Sequence, residues 1–127
     1  MSVKFLSDEW AAALKAELNA SEAFREAAAG HQATIQQVIG GPDGDVPYWI
    51  VIADSSIDMG TGTADGVDAT ITENYETAVK LATGELSPVT AFMTGKIKIA
   101  GNMGLLLGLQ GVLTQLPAAM QRIDVEY

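Results

Sequence analysis

The chain of 127 residues has no cysteine, a single histidine and only seven lysine and arginine residues. The absence of cysteine excludes disulfides and thiolate chemistry, and it is typical of a protein in a reducing compartment such as the cytoplasm. Sixteen acidic residues give a net charge of −9, which opposes binding to nucleic acid or to an anionic membrane. Only four prolines and no polar low-complexity segment are present, so we expect one domain over residues 1–127.

Charge is also missing from residues 99–121, a stretch long enough to span a bilayer. Gly104 and Gly108 even form the G-x-x-x-G pattern that occurs between membrane helices. Polar residues and further glycines interrupt the stretch and lower its mean hydropathy, so a spanning helix is not expected. The N-terminus has no apolar run long enough for a signal peptide.

Residues 1–30 predict a helical lead-in, and residues 31–127 predict a sheet with further helices. Ser7 and Ser21 are N-cap residues for two helices that end near Asn19 and at Gly30. Both helices are rich in alanine and bury little area, so we expect them to cover the core and not to form it. Further along, apolar and alternating runs predict strands at 34–39, 46–53, 57–63, 67–72 and 95–100.

The first four strands are expected to form an antiparallel meander, with 46–53 near the centre and a hairpin at 64–66. Thr72 is the expected cap of a helix over 73–82, and Ser87 with Pro88 predicts a short helix to Phe92 or Met93. Together, the predicted helices and strands indicate an α+β fold.

The uncharged segment predicts a helix that begins at Asn102 and ends or restarts at Pro117. This helix would carry two apolar stripes, and both need cover. One stripe comprises Met103, Leu106, Leu107 and Gln110, and the other comprises Leu105, Leu109, Val112 and Leu116. One can pack on a sheet, while the other requires more protein or a ligand.

The run over residues 81–105 resembles the signature region of the sterol carrier protein-2 family. The matching positions fall in register without a gap and are Thr83, Gly84, Pro88, Ala91, Phe92, Gly95, Lys96, Lys98, Gly101 and Asn102. Residues 68–72 and the helical N-terminus are also similar to the small, stand-alone bacterial members. The resemblance implies a five-stranded, mainly antiparallel sheet covered by helices, with a hydrophobic tunnel between sheet and helices.

The resemblance further implies non-enzymatic binding and carrying of a fatty acid, a fatty acyl-CoA, a sterol or a similar lipid, with no cofactor. The expected wall residues are Trp49, Ile50, Phe92, Ile97, Ile99, Met103, Leu106, Leu107, Gln110 and Leu113. Many family members have Gln after the residue that matches Met93, whereas this chain has Thr94, which puts one polar ligand contact in doubt. Transient contact with a membrane or an enzyme is compatible with this role, and the oligomeric state stays open.

Residues that support catalysis are scarce. His31 lies at a predicted helix end, where a solvated or capping role is expected. The aspartates at 54, 58, 65 and 68 lack the spacing of a calcium loop and suit turns.

A small enzyme acting on a steroid-like substrate through Tyr48, Tyr75 or Asp54 is one alternative. An accessory subunit that presents a lipid-like precursor to a partner enzyme is another. The last residues, 125–127, do not form a peroxisomal signal.

Overall fold

The computed structural model describes residues 2–41 and 44–127. Pro42 and Asp43, in the turn predicted at 40–45, lie outside the described residues. In chain order the elements are β1 (Val3–Lys4), α1 (Asp8–Ala20), α2 (Glu22–Ala28), β2 (Ala33–Gly41), β3 (Gly44–Ala53), β4 (Ser56–Thr61), β5 (Ala69–Asn74), α3 (Tyr75–Ala82), α4 (Pro88–Met93), β6 (Ile97–Gly101), α5 (Met103–Gly108), α6 (Gln110–Leu113), α7 (Gln115–Met120) and β7 (Val125–Glu126).

Five strands form one sheet in the order β4-β3-β2-β5-β6, and the fold is α+β as predicted. Three of the four strand pairings are antiparallel, but β5 runs parallel to β2, with Ile35 opposite Ala69. The predicted meander and the hairpin at 64–66 are therefore wrong, and the central strand is β2 and not β3. Parallel pairing joins segments that are distant in sequence, and local turn signals do not report it.

The connection from β4 to β5 is held against the sheet by one buried side chain. The Gln36 amide nitrogen donates to the carbonyl oxygens of Tyr48 and Gly62, each at 3.0 Å. Its amide oxygen accepts from the backbone nitrogen of Ala64 at 2.8 Å. These bonds direct the chain across the sheet toward β2, so β5 pairs with β2 instead of turning back on β4.

Helix α1 is part of the core, which corrects the expectation that the N-terminal helices only cover it. Trp10, Leu14 and Leu18 recur at every fourth residue and are fully buried. The Asn19 side chain accepts from the backbone nitrogen of Ile57 at 2.9 Å and donates to its carbonyl oxygen at 3.0 Å. This pair of bonds ties the end of α1 to β4.

The predicted C-terminal helix is divided into α5, α6 and α7. The Asn102 side chain accepts from the backbone nitrogen of Leu105 at 3.0 Å and so begins α5, as expected. Pro117 lies within the first turn of α7, where its missing N–H is tolerated, and it does not end the helix. Leu109, Val112 and Leu116 of one predicted stripe are buried against the core.

A short pairing between the chain ends was not predicted. Strands β1 and β7 run parallel, and Phe5 donates its backbone N–H to the carbonyl oxygen of Glu126 at 2.9 Å. None of the helices in the described part of the chain is long and apolar enough to cross a membrane.

Candidate binding cavity

A cavity of about 290 Å³ lies between the β5–β6 edge of the sheet and helices α4, α5 and α6. Its walls are apolar except at one position, Gln110. The lining residues are Ile71, Phe92, Met93, Ile97, Ile99, Met103, Leu106, Leu107, Gln110 and Leu113. A concave apolar wall with few polar groups is typical of small-molecule sites.

Local sequence signals build each wall. In β6, Ile97 and Ile99 alternate with Lys98, so both isoleucines lie on the face that the helices cover. Ser87 begins α4 by accepting from the backbone nitrogen of Thr90 at 3.1 Å. Gly95, with a φ of 74°, then reverses the chain from α4 into β6. Phe92 and Met93 are thereby placed beside the strand that forms the opposite wall.

The rim of the cavity is open to solvent and apolar. Met93 is 82% exposed and Leu107 is 65% exposed, and Phe92 and Met103 are exposed beside them. Gln110 is exposed as well, so its amide lies at the wet rim. A hydrophobic molecule can therefore reach the cavity between α4 and α5.

The structure brings together every predicted wall residue except Trp49 and Ile50. Neighbouring strand residues point to opposite faces, so these two cannot share a wall. Ile50 is fully buried in the core on the helix-covered face, and the Trp49 indole lies on the other face against Gly60. The prediction omitted Ile71 and Met93. Whether the gathered residues hold a ligand stays a prediction.

A second, smaller cavity of about 100 Å³ adjoins the first and shares Ile71, Ile97 and Leu113 with it. Three polar residues border it among apolar neighbours: Gln37, Tyr48 and Glu73. Sequence reasoning missed Glu73 because it assigned this residue to a helix that begins at 73. Helix α3 begins two residues later, where the Asn74 side chain accepts from the backbone nitrogen of Thr77 at 2.8 Å.

The ionisable groups of this smaller cavity are strongly perturbed. Burial raises the pKa of Glu73 to about 7, because a carboxylate is less stable away from water than the neutral acid. Burial, and secondarily the Glu73 carboxylate, raises the pKa of Tyr48 above its usual range. Tyr48 and the Glu73 carboxyl group therefore border the same cavity.

The other catalytic candidates are not gathered at one place. Asp54 and Ser55, with φ values of 53° and 61°, form the turn between β3 and β4. Six residues of strand, on the order of 20 Å, separate that turn from Tyr48. In residues 2–41 and 44–127, no three acidic or histidine side chains come together as a metal site would need.

The sequence of this chain is similar to those of known proteins. The sequence pattern of the SCP-2 sterol transfer family matches residues 9–114. "Sterol carrier protein 2" of Rattus norvegicus is 40% identical over 78 residues, which are 59% of this chain and 14% of that protein. "Hydroxysteroid dehydrogenase-like protein 2" of Bos taurus is 33% identical over 86 residues, 67% of this chain and 20% of that protein. The chain thus spans only a small part of these relatives.

Solved structures give the same picture of the fold. A crystal structure of sterol carrier protein 2 superposes with a TM-score of 0.81 at 20% identity, covering 94% of this chain and 98% of the other. The solution structure of palmitated SCP2L2 from Aedes aegypti has a TM-score of 0.69 at 20% identity, covering 89% and 95%. The predicted five-stranded sheet with covering helices is confirmed.

Proposed function

The chain belongs to the SCP-2 sterol transfer family, and from that premise we propose that it binds and carries a hydrophobic molecule without catalysing a reaction. The observation that carries the proposal is the cavity between β5–β6 and α4–α6. It has one polar wall residue, Gln110, and an apolar rim open to solvent. The expected cargo is an acyl chain, a sterol or a similar lipid.

The energy of transfer favours such a cargo. Each buried CH₂ group stabilises the complex by about 0.8 kcal/mol, so a chain of twelve carbons gains on the order of 10 kcal/mol before binding entropy is subtracted. No charge pair is needed for affinity. The structural neighbour from Aedes aegypti is palmitated, which supports an acyl chain as the apolar part of the cargo.

The proposal treats residues 1–127 as one binding domain. Apolar side chains from Phe5 to Met120 meet in a single cluster, and Leu106 belongs both to this cluster and to the cavity wall. A cytoplasmic location stays a prediction.

A matched pair of substitutions on β6 tests the proposal. Ile99→Trp fills the cavity from the sheet side, whereas Ala100→Trp places the same ring on the exposed opposite face of the strand. In titrations with a neutral fluorescent hydrophobe such as Nile red, we expect Ile99→Trp to weaken binding by about tenfold or more and Ala100→Trp to leave it unchanged. Equal binding by both variants, with both folded by circular dichroism, contradicts the proposal.

The accessory role is the second candidate, and the exposed rim favours it. Phe92, Met93, Met103 and Leu107 present apolar surface that a partner helix could cover. A stable complex with a partner protein on purification, lost on charged substitution of Met93, would then support this role. Under the carrier proposal, no partner is required for uptake.

A further inference from the structure

The polar residues of the smaller cavity lie on the helix-covered face of three adjacent strands. Gln37 on β2 is directly opposite Tyr48 on β3, and Glu73 on β5 follows Ile71, the parallel partner of Gln37. Gln37 is 8% exposed and Tyr48 is 6% exposed. The apolar residues around them include Leu116, Pro117 and Met120 from α7. Three polar groups are thus collected at one point of an otherwise apolar layer.

Two acceptor atoms of this cluster, one on Gln37 and one on the half-buried Glu73, are buried without hydrogen bonds. Neither Gln37 Oε1 nor Glu73 Oε2 has a partner within the described part of the chain. A buried acceptor that stays unpaired destabilises a fold, and native structures contain few of them. The neighbouring Gln36 shows that this sheet can satisfy a buried glutamine, since both ends of its side chain are bonded. The unpaired acceptors beside it are therefore open to a donor from outside the chain. Trp10 Nε1, whose ring packs on Tyr48, is a buried donor without a partner in the described residues.

The position of the Tyr48 ring is set by its neighbours. Its ring meets Trp10 edge to face, with centroids 5.3 Å apart and an angle of 84°. Trp10 in turn meets Phe5 at 5.2 Å in the same geometry. Because Trp10 is fully buried, this stack fixes the phenol at the cavity wall. The polar cluster is therefore built on rigid elements, as a recognition site requires.

The two cavities are adjacent. The larger one opens at Met93 and Leu107, and Ile71, Ile97 and Leu113 form its boundary with the smaller one. A chain-like molecule that enters at the rim can therefore extend past these residues toward Gln37 and Glu73.

Resting on the proposed function, we infer that the smaller cavity receives the polar head of the cargo, and that this head donates hydrogen bonds to Gln37 Oε1 and Glu73 Oε2. The cargo class is an amphiphile with an apolar chain or ring system ending in a hydroxyl or an amine. Its apolar body fills the larger cavity, and its head points inward. A carboxylate head offers only acceptors and adds negative charge beside Glu73, so the site discriminates against it.

A series of three ligands with one chain length tests this assignment. Dodecanol, dodecylamine and dodecanoic acid differ only at the head, and each is titrated at pH 8 against bound Nile red. We expect the alcohol and the amine to displace the dye at concentrations about tenfold or more below those of the acid. Equal displacement by all three, or a preference for the acid, overturns the inference.

Two isoelectric variants separate the site from the overall negative charge. Glu73→Gln removes the buried charge and supplies an amide donor, so binding of dodecanoate should tighten by about tenfold and that of dodecylamine should weaken. Glu76→Gln removes the same charge from an exposed position on α3, and the order of the three ligands should not change. Equal effects of the two variants would mean that net charge, and not the site, sets the preference.

Nuclear magnetic resonance reports the orientation directly. With dodecanol labelled with ¹³C at C1, we expect nuclear Overhauser effects from the C1 protons to the Gln37 side-chain amide and the Tyr48 ring. Contacts from C1 to Gln110 at the rim, with the terminal methyl group at Tyr48, would overturn the inward orientation. If Nile red and dodecane bind but the heads do not discriminate, only this inference fails. If no hydrophobe binds, the proposed function fails as well.

Discussion

Helices cover the same face of the main sheet at both of its ends, but the space between sheet and helices is filled by side chains at one end and holds a cavity at the other. At one end, which we term the packed half, α1 packs on β4 and its Trp10 ring contacts Tyr48 of β3. Leu14, Ile50 and Ile52 are fully buried there. At the other end, which we term the cavity half, α4 to α6 lie over β5 and β6 and leave about 290 Å³ empty of protein. Ile97 and Ile99 there are only half-buried.

The difference comes from the helices and not from the strands. In the edge strand at each end, β4 and β6, apolar residues on the covered face alternate with more exposed residues. Helix α1 has thirteen residues and a regular apolar stripe, whereas α5 and α6 have six and four, with glycines at 104, 108 and 111. Short helices without side chains at these positions cannot fill the space above the sheet. A cavity can therefore arise where the helices that cover an ordinary sheet are short and contain glycines.

The largest expected contrast between the halves comes from deleting one leucine side chain in each. Leu14→Ala removes a fully buried side chain, and we expect the free energy of unfolding to fall by about 3–5 kcal/mol. Leu107→Ala removes a side chain that is 65% exposed, and a change within about 0.5 kcal/mol is expected. Chemical denaturation of both variants measures this. Similar losses in the two variants would contradict the division into halves.

Glu73 lies where the halves meet, and its effect depends on pH. Because its pKa is raised to about 7 by burial, the folded state holds its proton more tightly than the unfolded state does. The contribution of Glu73 to wild-type stability should therefore be complete below about pH 4.5, decrease as pH rises through 7 and level off above. Glu73→Gln removes this cost, so it should stabilise the fold by about 2 kcal/mol at pH 8 and very little at pH 4.

Denaturation of the two proteins across this pH range tests the Glu73 prediction through their difference. Other ionisable groups lie near Glu73: Tyr48 borders the same cavity, and Lys96 and Lys98 border a groove that Glu73 also lines. These groups are present in both proteins, so their own titration cancels in the difference. A difference that is constant from pH 4 to pH 8 would show that ionisation of Glu73 does not cause the effect. Glu76→Gln serves as the exposed control.

Two glycines give the smallest contrast. A Cβ at Gly60 on β4 would lie 2.5 Å from the Trp49 ring, so Gly60→Ala should destabilise the packed half by about 1–2 kcal/mol. A Cβ at Gly108 on α5 would meet nothing within 4 Å. Gly108→Ala should therefore stabilise the cavity half by about 0.5 kcal/mol through helix propensity. Thermal melting of both variants checks the signs, and destabilisation by Gly108→Ala would contradict the open packing around α5.

Local patterns in the sequence predicted most elements and one wall of the cavity. The stripe of Met103, Leu106, Leu107 and Gln110 borders the cavity, because helical periodicity holds even where the helix is broken at Leu109. Pairing between distant strands has no local signature, and the parallel position of β5 was therefore not predicted. The placement of both Trp49 and Ile50 on one wall was wrong, because neighbouring residues of a strand point to opposite faces of the sheet.

Glu73 was missed in the sequence analysis because helix α3 was predicted to begin two residues too early. With α3 begun at Glu73, this side chain counts as a solvated helix residue. The alternation of Ala69, Ile71 and Glu73 on one strand face, followed by Asn74 as a cap, would have placed the carboxyl group inside. Gln37 offered a similar signal, since it falls on the same face as Ile35 and Ile39.

The central claim, that the cavity half holds a hydrophobic molecule, is tested most directly by native mass spectrometry of the purified protein. The wild type and Ala100→Trp should each carry one adduct, either acquired from the host or taken up from added dodecanol, and Ile99→Trp should not. Organic extraction then identifies the molecule. A wild-type mass without an adduct, unchanged after dodecanol is added, would contradict the account.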